Sequence, residues 1–330
     1  MQKTALFIFF LMTHLLFADE NGVNNLSDIM DSLYQTNPDS AILCGEKALQ
    51  IADSLDLDSL QISLYSKLGF IRKSKGEMFL AGQHYQKAVA LEDNPNSEQS
   101  ANHHLNLGDI YCRTGEHNKA IKVYQQSLQF YEKQQNIDGI VEALLGIGYT
   151  YQMMKSYDTM LKYYRQALSY DSDIQNQRVR AGVFNNLANG LKITDDYDLA
   201  MSYYEKVVSI SKSINDKQGE SAALNNIAGC YKKQGDYQNS LKTYKEALTL
   251  KKLISDDWGI ANCLNNTAIV WSELGKNDSA LAYVRNGLEF VKNTHSKILL
   301  KNSHLILSDI FFKDEQFDSA YIHLEISTDE

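Results

Sequence analysis

Proline is almost missing from this chain: Pro38 and Pro95 are the only two among 330 residues. Few helices can be broken that way, and with alanine, leucine, lysine, glutamine and glutamate plentiful the composition favours long helices over sheets. Cysteine is scarce as well. Cys44, Cys112, Cys230 and Cys263 are scattered, with no Cys-x-x-Cys pair and no regular spacing to histidine, which argues against a metal site or a redox motif. An even count would permit disulfides in an oxidising compartment. Cys230 and Cys263, however, fall at different heights on neighbouring copies of the repeat described below, so four unpaired, mostly buried thiols are expected. An excess of basic charge is lacking too. With 32 Lys and Arg against 41 Asp and Glu the formal net charge is −9, which argues against nucleic acid and against an anionic membrane surface. Nothing matches G-x-x-x-x-G-K-[ST], H-E-x-x-H or G-x-S-x-G, so neither an enzyme nor a cofactor is indicated.

What is present begins with a leader-like segment. Residues 1–18, MQKTALFIFFLMTHLLFA, carry Lys3, an apolar run from Ala5 to Phe17, and Ala18 before Asp19 and Glu20. The run is short for a membrane span and its small-residue end is similar to a signal-peptidase site, so cleavage after Ala18 and an exported, periplasmic or otherwise extracytoplasmic location are expected. Leu16 is an imperfect residue at the −3 position, and no cysteine follows to carry a lipid. An uncleaved anchor is the alternative. No second hydrophobic stretch follows. Residues 19–25 read as a polar linker, and with 44% hydrophobic and 22% charged residues overall the remainder can bury a large core.

From about residue 26 to 330 the chain repeats itself. Leu107, Ile147, Leu187, Ile227, Thr267 and Leu307 are spaced by 40, as are Ala120, Met160, Ala200, Ser240, Ala280 and Ala320, and Tyr124, Tyr164, Tyr204, Tyr244, Val284 and Leu324. The stretch Leu224 to Leu248 shows the unit best. Leu224, Ile227, Ala228 and Tyr231 mark one face of a first helix, Gly235 suits a left-handed C′ position, and Asp236 can cap a second helix. On that second helix Tyr237, Ser240, Leu241, Tyr244, Ala247 and Leu248 form the stripe. Eight units follow this pattern, near 26–55, 62–92, 101–134, 141–174, 181–214, 221–254, 261–293 and 301–330, the first and last being degenerate. Small residues recur at fixed places: Gly69, Gly108, Gly148, Ala188, Ala228 and Ala268 on first helices, and Ala81, Ala120, Ala200, Ala280 and Ala320 on second ones. They let paired helix axes approach closely.

These positions resemble the tetratricopeptide repeat motif, W-x2-L-G-x2-Y…A-x3-F…P. Leu107, Gly108, Tyr111, Gly115, Ala120 and Tyr124 stand at its places in the third unit, and Ala268, Trp271, Gly275 and Ala280 in the seventh. The resemblance implies an all-α, right-handed superhelical solenoid that binds proteins or peptides. Two features depart from the motif: the period is 40 instead of about 34, and the closing proline is missing throughout. The second helix can then continue, by about 9 Å for six further residues. Lengthened repeats of this kind are similar to those of kinesin light chains, Pins-type polarity adaptors and bacterial peptide-responsive regulators. Together with the leader, the nearest likeness is the exported repeat region of Bacteroidetes-type sensor proteins, in which a membrane helix and an output domain follow.

In such a solenoid the first helices line the concave face. The positions beside their apolar stripe hold Asn185 and Asn186, Asn225 and Asn226, Asn265 and Asn266, with Asn106 and Asn189 nearby. Asparagine is a poor interior helix residue, and a carboxamide both donates and accepts, so a ladder of them can grip the backbone of an extended peptide. Related repeat proteins use asparagine this way; the alternative is that these residues bridge neighbouring helices. Lys192, Lys232 and Lys233 lie one to two turns further on and could receive an acidic side chain or a terminal carboxylate, or stay solvated. The clamp that holds chaperone C-terminal tails in some members needs Lys at Leu105 or Leu145 and Arg at Asn186 or Asn226, so that specificity is not implied. Tyr149, Met153 and Ile269 share groove positions and could form apolar pockets, though such residues are more often core.

Other candidates for chemistry read as structural. His104, of the pair His103-His104, falls at a buried register position. Asp196 reads as a helix cap, and Asp256-Asp257 lie near a helix start, where acids suit the macrodipole. At the far end the eighth unit lacks a polar capping helix. An expectation follows that this edge pairs with a second copy, making a homo-oligomer, or that the sequence is the front part of a longer sensor.

Overall fold

A computed structural model describes residues 19–94, 96–294 and 296–329. Sixteen helices and no strand occur among the described residues. In chain order they are α1 (Glu20–Leu33), α2 (Pro38–Ser54), α3 (Asp58–Ser74), α4 (Met78–Leu91), α5 (Glu98–Arg113), α6 (His117–Gln134), α7 (Ile137–Met153), α8 (Tyr157–Leu168), α9 (Gln177–Ile193), α10 (Tyr197–Ser213), α11 (Lys217–Lys233), α12 (Tyr237–Leu253), α13 (Asp257–Glu273), α14 (Asn277–Thr294), α15 (Lys297–Lys313) and α16 (Phe317–Asp329). Odd-numbered helices are the first members of eight helix pairs, so the chain is an all-α helical repeat solenoid. It divides into two compact units, one ending at Tyr163 and the other starting at Tyr164, within α8.

The leader expected over residues 1–18 lies outside the described residues. Of residues 19–25, read as a linker, 20–25 belong instead to α1 and Asp19 is its N-cap. Asp19 caps that helix by accepting from the Gly22 amide at 2.8 Å, and Val23 and Leu26 are buried against α2 and α3. The polar letters of this stretch are the solvent side of an amphipathic helix.

Each first helix from α3 to α15 ends on a left-handed residue. Gly76, Gly115, Gly235 and Gly275 have φ between 68° and 82°, and Lys155, Asp195 and Glu315 hold the same register with φ near 60°. The next amide then closes the turn; that of Asp236 bonds to the Tyr231 carbonyl at 2.9 Å. Asp236 in turn accepts from the Asn239 amide at 3.1 Å and starts α12.

The tyrosines at the repeat spacing are core residues. Tyr164, Tyr204 and Tyr244 are among the largest fully buried side chains. Their rings explain the small residues opposite. A Cβ at Gly108 would stand 2.6 Å from the Tyr124 ring, and one at Gly146 would stand 2.3 Å from the same ring. All four cysteines are buried and unpaired, burial pushing their thiols upward, that of Cys263 to about 12. At the last helix Phe317, Tyr321 and Ile322 are exposed. No helix among the described residues is long and apolar enough to cross a membrane.

Candidate functional site

The second unit holds a cavity of about 410 Å³ along the first helices α9, α11 and α13, lined among others by Lys192, Asn225, Asn226, Gly229, Lys232 and Asn266. Those three helices are parallel copies of one segment, and equal spacing places the same side of each towards the cavity. Lys233 and Tyr244 also reach it, as do Asp195 and Tyr197. Three lysines thus share the cavity with one carboxylate, and Asp195 accepts from the Tyr197 hydroxyl.

The lysines are unusually placed. Lys192 Nζ donates to Asn226 Oδ1 at 2.9 Å and stands 5.7 Å from the centre of the Tyr204 ring. Burial holds its pKa below the usual lysine value. The same cause, helped by neighbouring Lys233, lowers Lys232. An ammonium taken out of water without a carboxylate is costly, and the lowered pKa expresses that cost.

The asparagines divide. Asn225, Asn226 and Asn266 line the cavity, and Asn225 Oδ1 is buried without a partner. Asn185 and Asn186 are half-buried on α9 and outside its lining. Asn189 accepts from the Tyr204 hydroxyl at 2.5 Å, bridging α9 and α10 within one repeat. Asn265 corrects the groove expectation: it is 3% exposed and donates to Ser303 Oγ at 2.8 Å, tying α13 to α15. Position 265 lies one residue, or about 100° of helix, from 266, enough to turn it from cavity to core.

In the first unit Asn106 donates to the Asn102 carbonyl at 3.0 Å and accepts from Lys73 Nζ at 3.2 Å. The ladder breaks at Gly146, whose place is taken by the Tyr124 ring. Tyr149 packs at the rim of the core cluster of Cys112, Tyr124 and Ile147 and lines no part of the cavity. Sequence reasoning missed Tyr244 and Gly229 as site residues. The signal available was Gly229 itself, a glycine inside a helix where no turn needs one.

Of the two adjacent histidines, His103 is the buried one, which reverses the expectation for His104; the latter is half-buried and its Nδ1 donates to the Ser100 carbonyl at 2.8 Å. His103 Nδ1 meets Glu92 Oε1 at 2.7 Å and its Nε2 meets Ser66 Oγ, a serine–histidine–acid order. Yet Ser66 lies inside α3 and donates to the Ile62 carbonyl at 2.9 Å. The surrounding amides are spent on the helix, so no pair of them faces Ser66 to hold an oxyanion. Asp256 accepts from the Gly259 amide at 2.8 Å, and Asp196 from that of Leu199 at 3.4 Å, both as helix caps. No group of three or more His, Cys, Asp and Glu able to hold a metal occurs among the described residues. A larger cavity of about 650 Å³ between α14 and α15 is lined by Leu288, Val291 and Leu300 together with Arg285, Lys292 and Lys297 among others, and contains none of the residues singled out above.

Models of the tetratricopeptide repeat match residues 60–133, 179–252 and 219–293, and another of the same description matches 141–174. No curated protein matches the sequence. Among solved structures the chain is similar to a Rap protein complexed with competence and sporulation factor, at 15% identity and a TM-score of 0.65, over 94% of this chain and 98% of that one. It is similar to the Rap conjugation gene regulator of the plasmid pLS20 in complex with the Phr* peptide, at 14% identity and a TM-score of 0.65, over 93% and 94%. Aspartyl phosphate phosphatase F from Bacillus subtilis matches at 12% identity and a TM-score of 0.67, over 86% and 74%. At such identities the likeness is one of fold.

Proposed function

This chain belongs to the tetratricopeptide repeat family, and from that premise we propose that it is a non-enzymatic scaffold that binds a protein or peptide partner as an extended segment along the first helices of its repeats. The observation that carries this reading is the cavity of the second unit, where Asn225 and Asn226 of α11 and Asn266 of α13 stand together and Asn225 Oδ1 is left unsatisfied. Carboxamides at repeating intervals suit a peptide backbone, whose donors and acceptors also repeat. The pLS20 regulator, of similar fold, was solved with a peptide bound. The likeness to aspartyl phosphate phosphatase F, at 12% identity, is one of fold alone.

Changing Asn186, Asn226 and Asn266 together to Ala is expected to weaken retention of short synthetic peptides while lowering the melting temperature by no more than a few degrees. Collapse of melting with unchanged binding by the folded fraction would make these asparagines structural.

We further propose, from the apolar run and Ala18 at the N-terminus, that the protein acts outside the cytoplasm. N-terminal sequencing of the protein recovered from the envelope fraction tests this; an intact Met1 in the cytosolic fraction would refute it. A second reading, the extracytoplasmic sensor region of a signalling or transcriptional regulator, draws on the same leader. An open frame beyond codon 330 running into a hydrophobic span and an output domain would favour it.

A further inference from the structure

In the first unit a carboxylate sits on the surface of α5 at a place where α11 of the second unit has only hydrogen. Asp109 on α5 is held by Lys73 Nζ from the preceding repeat at 2.7 Å and by Arg113 Nε at 2.8 Å. Lys73 also donates to Asn106, one turn before Asp109. Burial would raise the pKa of Asp109, but the hydrogen bonds from Lys73 and Arg113 outweigh it and hold the carboxyl below its ordinary value.

Three repeats further along, every member of this arrangement but one has a counterpart. Lys192 stands for Lys73 and donates to Asn226 as Lys73 does to Asn106. Lys233 stands for Arg113, one turn beyond the central residue, and Tyr244 stands for Tyr124. The central residue is Gly229 in place of Asp109. Space remains there: a Cβ built at Gly229 would meet nothing nearer than the Tyr244 hydroxyl at 3.7 Å. Tyr244 is 1% exposed and lines the cavity. Lys192, Lys232 and Lys233 make no ion pair among the described residues, and at Lys232 the counterpart of Asp109 in the next repeat is Ile269. Cations and a phenol therefore converge on the opening at Gly229, where the one carboxylate of the lining, Asp195, is engaged by Tyr197.

We propose that the cavity at Gly229 receives a carboxylate of the bound peptide, at the position that Asp109 fills from within the chain in the first unit. Lys192 and Lys233 pair with it, Lys232 adds a third cation, and the Tyr244 hydroxyl donates to it. This inference rests on the peptide-binding reading and names the group that the cavity selects. Both an Asp or Glu side chain and a free C-terminus offer that group.

The test uses three synthetic peptide libraries: free C-termini without Asp or Glu, amidated C-termini with Asp or Glu, and amidated C-termini without either. The chain is expected to retain one of the first two at least about tenfold better than the third, the worth of one charge-assisted hydrogen bond. Which of the two is retained tells the terminal carboxylate from the side chain. Gly229→Asp should abolish that preference by placing an acid in the cavity, and should melt above Gly229→Asn, which fills the same space without charge. Equal retention of all three libraries would overturn the carboxylate assignment and leave peptide binding standing. So would equal loss of preference in the two variants. Retention of none would overturn both.

Discussion

Replacing Gly146 with alanine is expected to destabilise this protein, although the same exchange inside most helices stabilises. Gly146 lies in the middle of α7, where alanine gains about 1 kcal/mol through reduced chain entropy and helix propensity. Against that gain, the added Cβ would stand 2.3 Å from Cε1 of Tyr124. The ring is 5% exposed, and its retreat is closed because the position of a Cβ on Gly108 lies 2.6 Å from the same ring. Overpacking of this kind costs about 1–3 kcal/mol. So close a contact belongs to the upper part of that range, leaving a net loss of about 1–2 kcal/mol. Urea unfolding followed by far-ultraviolet circular dichroism reads the loss as a lower midpoint at constant slope. Gly229→Ala is the control, because its Cβ meets only an ordinary contact at 3.7 Å; its midpoint should rise by the propensity gain. Tyr124→Leu in the Gly146→Ala background should recover about 1–3 kcal/mol of coupling. If Gly146→Ala raises the midpoint as Gly229→Ala does, the Tyr124 ring is not confined and the reasoning fails.

Lys155 occupies a left-handed position with φ of 58°, where a Cβ costs roughly 1 kcal/mol; Lys155→Gly should raise the unfolding midpoint, and Gly235→Ala, at φ of 78°, should lower it by a similar amount. Ala200 is fully buried, so Ala200→Leu should cost about 1–3 kcal/mol by the same urea assay. The carboxyl of Asp109 is depressed in the fold, so its stabilising contribution is complete above the unfolded value of 3.8 and disappears as pH falls through the lower folded value. Asp109→Asn should therefore lose stability at neutral pH and differ from the parent progressively less as the pH drops below 3.8, read as the difference in urea midpoints.

The solenoid was legible because it is written locally and then repeated. Ile227, Ala228 and Tyr231 mark a stripe that one helix cannot bury alone, Gly235 and Asp236 end one helix and begin the next, and the copies at 40-residue spacing agree. The start of the first helix, residues 19–25, reads as a linker because Glu20, Asn21, Asn24 and Asn25 outnumber the apolar letters there, while Val23 faces the core. The histidine pair was read one residue out of phase, since a step of one on a helix turns a side chain by about 100°.

At the site, residue type and spacing led to α9, α11 and α13, and Asn226, Asn266, Lys192, Lys232 and Lys233 line one cavity there. They did not show that Asn265 is tied to Ser303 on the next repeat, or that Asn189 is engaged by Tyr204.

Helix, face and period thus belong to the sequence by itself, because they depend on dihedral preference and apolar spacing within one turn or two. Only the tertiary structure decided which polar groups are occupied from a neighbouring helix, as Asn265, Asn189 and Asp109 are. Lys73 and Lys192 read alike along the chain. They part company only when the following repeat sets Asp109 against one and Gly229 against the other.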